Sequence, residues 1–324
     1  MRLSVSAILT LGFLTFAAQA AEVEKGTVRF EPAGDQKGIP ERYRLAEHTF
    51  DWEMSPKLRL SGGGVEVFTV RFPSPVTSPY PENNTVHCEY YRPTGAGPFP
   101  GVVVLDITGG NQDLSRVIST HLAQNGIAAL FIQMAYYGPR RPPGKNVKLL
   151  STNIPQTFEA IRQTVLDVRQ SVAWLESRPE VDKKRIGIHG TSLGSFIAAL
   201  SAEMEPKLGR VSILLSGGGF IDGYYEHPLA KQYRDTYEKL GGTKEALKKW
   251  IAPVDPITYA DKLKGRKVLM ICGERDEIVP PSMAKAMWKA CGEPKIVWYD
   301  CTHYGAAVYF APALRNVVEH FTAD

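Results

Sequence analysis

The chain is expected to be an α/β protein built on a mostly parallel β-sheet with helices on both faces. Three observations point there. Beyond residue 100, short apolar runs alternate with longer stretches of helical spacing. Several of those runs are apolar throughout rather than at every second position, as strands buried on both faces require. The 324 residues, 44% of them hydrophobic, are enough for one large core.

In chain order, residues 65–72 (VEVFTVRF) alternate in the manner of a half-buried strand, and 86–92 (VHCEYYR) form a second candidate. The following PTGAGP is a turn. Residues 21–100 thus read as a β-rich extension packed on a catalytic domain at 101–324. Within that domain, 101–107 (GVVVLDI) is a buried strand, 113–125 a helix and 127–134 the next strand. Residues 156–177 are helical, with Phe158, Ile161, Val165, Val168, Val172 and Leu175 on one side. A strand at 185–189 leads into a helix from Leu193 onward, and 211–215, 267–272 and 295–299 are three more strands. This alternation implies right-handed crossovers.

Two insertions interrupt the rhythm, at 136–155 (containing YYGPRRPPGK) and at 220–259, the second helical, aromatic and charged. Both leave the C-terminal ends of strands, where the loops of a parallel sheet surround a ligand crevice. They are candidates for substrate walls, and 220–259 for a lid.

The N-terminus has a separate character. Met1-Arg2 is followed by an apolar stretch and by Ala18-Gln19-Ala20, a small-x-small cleavage pattern. Residues 1–20 are therefore expected to be a signal peptide, and the protein exported to the periplasm or beyond. No later run of eighteen apolar residues predicts a membrane span in the mature chain. A formal net charge of +4 without a dense basic stripe gives no reason to expect nucleic acid. Export permits disulfides. Of Cys88, Cys272, Cys291 and Cys301, the pair Cys272 and Cys301 each end a strand-like run, so either a bridge there or buried free thiols fit the pattern.

The chemistry-bearing motif is Gly190-Thr191-Ser192-Leu193-Gly194 between a predicted strand and helix. At so sharp a turn the serine hydroxyl stands clear, and the glycines let strand and helix pass closely. A serine nucleophile needs a base, and the base a carboxylate to orient it. Downstream, CGERDEIVP presents Asp276 just past one strand, and CTHYG presents His303 just past the next. Three loops at one sheet edge thus carry serine, acid and histidine. Glu274, Glu277 and Asp300 compete with Asp276, which has the better spacing to Val279-Pro280. His189, His121, His320, His227, His48 and His87 compete less well with His303, lying in strands, helices, the second insertion or the N-terminal region. For an oxyanion, Leu193 N–H is the first candidate donor; Thr108 N–H, then Gly109 N–H, are candidates for the second. Tyr136, Tyr137, Tyr224, Tyr225 and Trp250 are candidate pocket residues, and Arg140 and Arg141 candidate partners for an acidic substrate. No metal-ligand spacing, phosphate loop or dinucleotide fingerprint is present, so no cofactor or metal is implied.

In these segments (GTSLG, GERDEIVP, CTHYG and the turn at 108–110) the chain resembles the α/β-hydrolase superfamily, over roughly residues 101–324. MAYYGPRRP makes it most similar to dienelactone-hydrolase-like and secreted acyl-esterase members. The resemblance implies the α/β-hydrolase fold and a Ser-His-Asp triad. Two departures matter. Dienelactone hydrolases proper use a cysteine where Ser192 stands, which argues against that reaction; and Asp106-Ile107 replaces the usual His-Gly ahead of the oxyanion turn. The expected function is an exported serine esterase acting on short-chain or acetyl esters, small or oligosaccharide-borne. A peptidase or thioesterase would use the same triad, and a silent hydrolase scaffold would have lost it.

Overall fold

A computed structural model describes residues 23–60, 62–109 and 111–323. The leader expected at 1–20 and Gly110 of the turn at 108–110 lie outside the described residues.

The chain folds around one ten-stranded sheet. Its N-terminal part is an antiparallel meander of β1 (Glu24–Phe30), β2 (His48–Arg59), β3 (Val65–Pro73) and β4 (Thr85–Pro93). β5 (Phe99–Leu105) follows, then α1 (Asp113–Gln124), β6 (Ala128–Ile132), α2 (Ile154–Glu176), β7 (Val181–Thr191), α3 (Leu193–Met204) and β8 (Arg210–Leu214). The helical insertion contains α4 (Phe220–Tyr224), α5 (Lys231–Lys239) and α6 (Lys244–Ile251). β9 (Lys267–Gly273), α7 (Pro281–Ala290), β10 (Lys295–Tyr299) and α8 (Phe310–Thr322) complete the chain. The spatial order is β1-β2-β3-β4-β6-β5-β7-β8-β9-β10, with β6 onward parallel.

The meander of β1 to β4 does not form a separate layer. β4 pairs antiparallel with β6 from Cys88↔Ile132 to Tyr91↔Ala129, so the meander continues the sheet. This covers what would otherwise be an open edge of β6. β1 and β2 are additional to the strands expected from sequence. In β2 the period-two face is Phe50, Trp52 and Met54, all buried. Trp52 meets Trp174 of α2 edge-on at 5.9 Å, and Trp174 meets Tyr90 of β4 at 5.1 Å. α2 begins two residues earlier than its apolar spacing suggests, because Asn153 accepts the Gln156 N–H at 3.2 Å and Pro155 fits the first turn.

The 136–155 insertion is anchored from within. Arg140, expected on a solvated or substrate-facing loop, is buried and pairs with Asp167 of α2 at 2.7 Å. Its guanidinium also donates to the Asn83 and Gln133 carbonyls at 2.8 Å and 2.9 Å. Burial pushes the Asp167 carboxyl above the usual carboxylate range, and Arg140 works in the opposite direction. Asp167→Ala leaves a buried guanidinium without its counter-charge and is expected to lower unfolding stability by about 3–5 kcal/mol in a urea titration.

All four cysteines are buried free thiols. The Cys272–Cys301 bridge is absent because the β9–β10 register sets Cys272 opposite Trp298, while Cys301 lies beyond the strand end. Among the described residues no helix is long and apolar enough to cross a membrane.

Candidate active site

The parallel strands bring several loop-bearing ends to one edge. Leu105 pairs with Gly190, Gly190 with Ile213, and Ile213 with Met270. β5 and β7 are neighbours whose connections leave in opposite directions across the sheet, which is where open α/β sheets form their crevices.

Ser192 is the single residue between β7 and α3, at φ 51° and ψ −119°. That conformation is costly for a residue with a Cβ, by about 1–3 kcal/mol. Its surroundings enforce it. Ser192 N–H donates to the Leu214 carbonyl at 2.9 Å, and its own carbonyl accepts from the Ser195 N–H and hydroxyl at 2.9 Å and 2.6 Å. The flanking glycines are sterically required. A Cβ on Gly190 would lie 2.2 Å from the Gly194 carbonyl oxygen, and one on Gly194 would lie 2.5 Å from that of Asp106.

A hydrogen-bonded chain leads away from the hydroxyl. Ser192 Oγ is 3.1 Å from His303 Nε2, and His303 Nδ1 is 2.8 Å from Asp276 Oδ2 and 3.0 Å from Oδ1. Asp276 Oδ1 also accepts the Ile278 and Val279 N–H groups at 2.9 Å and 2.7 Å, which fixes the carboxylate's orientation. A carboxylate on Nδ1 selects the tautomer with its proton there, leaving Nε2 free to accept from Ser192. Two of the competing acids are otherwise engaged: Glu277 accepts the His303 backbone N–H at 3.1 Å, and Asp300 pairs with Arg275 at 2.6 Å.

The other histidines stand elsewhere. His189 is buried beside Ser212 Oγ at 3.2 Å, and burial holds its pKa down at about 3. Burial lowers His320 to about 4 and His87 to about 4. His48 shares a hydrogen bond with Gln170 at 2.8 Å.

The three proposed oxyanion donors differ. Leu193 opens α3, so its N–H has no carbonyl within the helix to bond. Thr108 borders the same cavity as Ser192. The Gly109 N–H already donates to the Tyr137 hydroxyl at 2.9 Å, so it would have to leave that partner to serve an oxyanion. Asp106, at the exit of β5, turns its carboxyl away to accept from Ser115 at 2.9 Å, and burial pushes that carboxyl's pKa up.

Ser192 and His303 open onto a cavity of about 670 Å³. Its walls include Leu114, Leu214, Ile271, Tyr309, Phe310 and Ala313. The tyrosines expected to line it do not. Tyr136 is buried edge-on against Tyr80 at 5.9 Å, and Tyr137 holds the Gly109 turn. Tyr224 donates to the Ile278 carbonyl at 2.6 Å and Tyr225 to Glu238 at 2.7 Å. Aromatic content in an insertion does not tell which way the insertion folds. Here α4 packs behind the acid loop, with Phe220 and Tyr224 against Phe196, Val279 and Met283. The lining instead draws on the run YGAAVYFAPA just past His303 and on Leu114 and Val117 of α1. That run's uninterrupted apolarity, next to a candidate base, was a signal that could have been used. A wider groove of about 830 Å³ crosses β1 to β4 near Lys25, Asp51, Arg71 and His87, and shares no lining residue with this cavity.

The model of the dienelactone hydrolase family matches residues 86–308. An acetyl xylan esterase from Paenibacillus sp. R4 superposes with a TM-score of 0.64 at 19% identity, covering 83% of this chain and 88% of that one. Acetyl xylan esterase 1 from Thermoanaerobacterium sp. JW/SL YS485 gives 0.62 at 21% identity with the same coverages. An uncharacterized protein of Mycobacterium tuberculosis is 28% identical over 144 residues, 44% of this chain. The match spans only 33% of that relative's length.

Proposed function

The chain belongs to the dienelactone hydrolase family, and from that premise we propose that it is an exported serine hydrolase that cleaves carboxylic esters through an acyl-enzyme. Ser192 is the nucleophile, His303 the general base and then acid, and Asp276 the orienting carboxylate. The observation that carries the reading is the continuous chain from Ser192 Oγ through His303 to Asp276 on a strained strand-to-helix turn.

Ser192 Oγ bonds to the ester carbonyl carbon while His303 Nε2 takes the hydroxyl proton. The carbonyl π electrons move onto oxygen, and the Leu193 and Thr108 N–H groups donate to that oxyanion. When the carbonyl reforms, the bond to the alcohol oxygen breaks and His303 returns the proton to it. Asp276 stays ionised and steadies the imidazolium. Water then repeats the sequence on the acyl-serine and releases the acid. Two similar structures are named acetyl xylan esterases, which supports an ester as the substrate. The leader pattern at 1–20 supports export.

Treatment of the mature protein with a fluorophosphonate is expected to add one label, mapped by peptide mass spectrometry to Ser192. A folded protein that takes no label there would overturn the assignment. Tyr137→Phe tests the turn that carries Thr108. Without the hydroxyl that restrains Gly109, kcat for a nitrophenyl ester is expected to fall about tenfold to a hundredfold with KM little changed.

A further inference from the structure

We infer that the group this enzyme retains on Ser192 is a medium-length apolar acyl chain, seated in the cavity beside the elbow, and that acetylated sugars are not its substrates. The inference rests on the serine-esterase reading and narrows its substrate.

Size is the first reason. Ser192, His303 and Thr108 all border the cavity, so a carbonyl bonded to Ser192 stands at its wall. The cavity measures about 670 Å³. An acetyl group would leave most of it to water, room for roughly twenty molecules at about 30 Å³ each.

Chemistry is the second reason. Among the described lining residues there is no aspartate, glutamate, lysine, arginine, asparagine or glutamine. A saccharide's many hydroxyls would be desolvated there against hydroxyl partners alone, which recover only part of the cost. Beyond Ser192 and His303, the polar side chains present carry hydroxyls or thiols: Thr108, Thr191, three tyrosines (Tyr299, Tyr304 and Tyr309), Cys272 and Cys301. Methylene groups meet no such penalty on walls of Leu214, Ile271 and Phe310.

The mouth is the third reason. Val117, Ile278 and Tyr304 border the cavity while being 51%, 42% and 78% exposed. Val308, 83% exposed, lies on the same turn as Tyr304. Large apolar side chains gathered at the rim of one cavity mark a surface that meets an apolar ligand.

The acyl side is assigned because that group stays bound through both half-reactions, while the alcohol must leave before water attacks. Thr191 and Leu214 end their strands and Ile271 lies beside Leu214 in β9, so the β7–β8–β9 ladder joins all three into a fixed wall suited to the group that remains.

The test uses two substrate series with the mature enzyme and Ser192→Ala as control. One holds the nitrophenol leaving group and lengthens the acyl chain from acetyl through butanoyl and hexanoyl to octanoyl. The other holds acetyl and lengthens the alcohol from ethyl to octyl. In the acyl series kcat/KM is expected to rise by up to about fourfold per methylene. Ala306→Trp, on the half-exposed turn, and Ala313→Phe, on α8, fill the cavity from two sides. In either variant the octanoyl-to-acetyl ratio is expected to fall at least tenfold, and Ala306→Trp keeps the test decisive if the α8 variant fails to fold. Ser192-dependent turnover that peaks at acetyl, or that lengthens only with the alcohol, overturns the inference and leaves the esterase reading standing. Turnover that survives in Ser192→Ala overturns the reading beneath it.

Discussion

Ser192→Ala is expected to lower kcat for a nitrophenyl ester by about 10⁴–10⁶-fold, the range seen when a nucleophile is removed from a triad that acts as a unit. The hydroxyl makes one side-chain contact in the triad, to His303 Nε2 at 3.1 Å. Its removal therefore abolishes the attacking atom and disturbs little else. Alanine inherits the same φ of 51°, held by the Ser192 N–H to Leu214 and by the carbonyl to Ser195, both of which are backbone features of the residue. Melting temperature should accordingly change by no more than a few degrees, so lost activity cannot be blamed on lost fold. Stopped-flow measurement of nitrophenolate release should lose both its burst and its steady state. A loss smaller than tenfold would mean that the ester is attacked by water or by another group.

Asp276→Asn is expected to cost about 10⁴-fold in kcat with KM nearly unchanged. The argument is geometric. Asp276 Oδ1 accepts the Ile278 and Val279 N–H groups, so an asparagine must keep its carbonyl oxygen on that side. Its NH₂ then faces His303 Nδ1, where Oδ2 stood at 2.8 Å. Two donors cannot share that contact, so Nδ1 must become the acceptor and the ring proton moves to Nε2. Nε2 can then no longer accept the proton of Ser192. The shape survives and the tautomer inverts, which separates this variant from one that unfolds. The nitrogen-15 spectrum of the His303 ring should report the exchange directly. Activity near that of the parent would reassign the acid, with Glu277 next in reach because it already holds the His303 backbone N–H.

Part of the site was legible because it is local. The first glycine of GTSLG is set by a contact between residues four apart, since a Cβ on Gly190 would meet the Gly194 carbonyl, whereas Gly194 makes room for the distant Asp106 carbonyl. The apolar continuity of 101–107 and the sided spacing of 156–177 likewise follow from single elements and the faces they bury. Other features needed partners far along the chain. Arg140 stands in a proline-rich, basic loop that reads as solvated, yet it is buried because Asp167, Asn83 and Gln133 converge on it. Tyr137 reads as a pocket aromatic, yet its hydroxyl is spent on a backbone N–H twenty-eight residues away.

By itself the sequence determined the class of the protein. It carries alternating strands and helices, a serine at a glycine-bracketed turn, and an acid and a histidine each just past a strand. These depend on periodicity and on steric rules acting between near neighbours, which any reader of the chain can apply. Only the tertiary structure decided what surrounds that serine. It set the 3.1 Å approach of residues 111 positions apart, engaged the Gly109 N–H with Tyr137, and turned four tyrosines away from the cavity. Such features depend on the register of β5, β7, β8 and β9 and on how α1, α8 and the insertion pack over their ends. Packing direction is a property of the whole fold, and no local pattern encodes it.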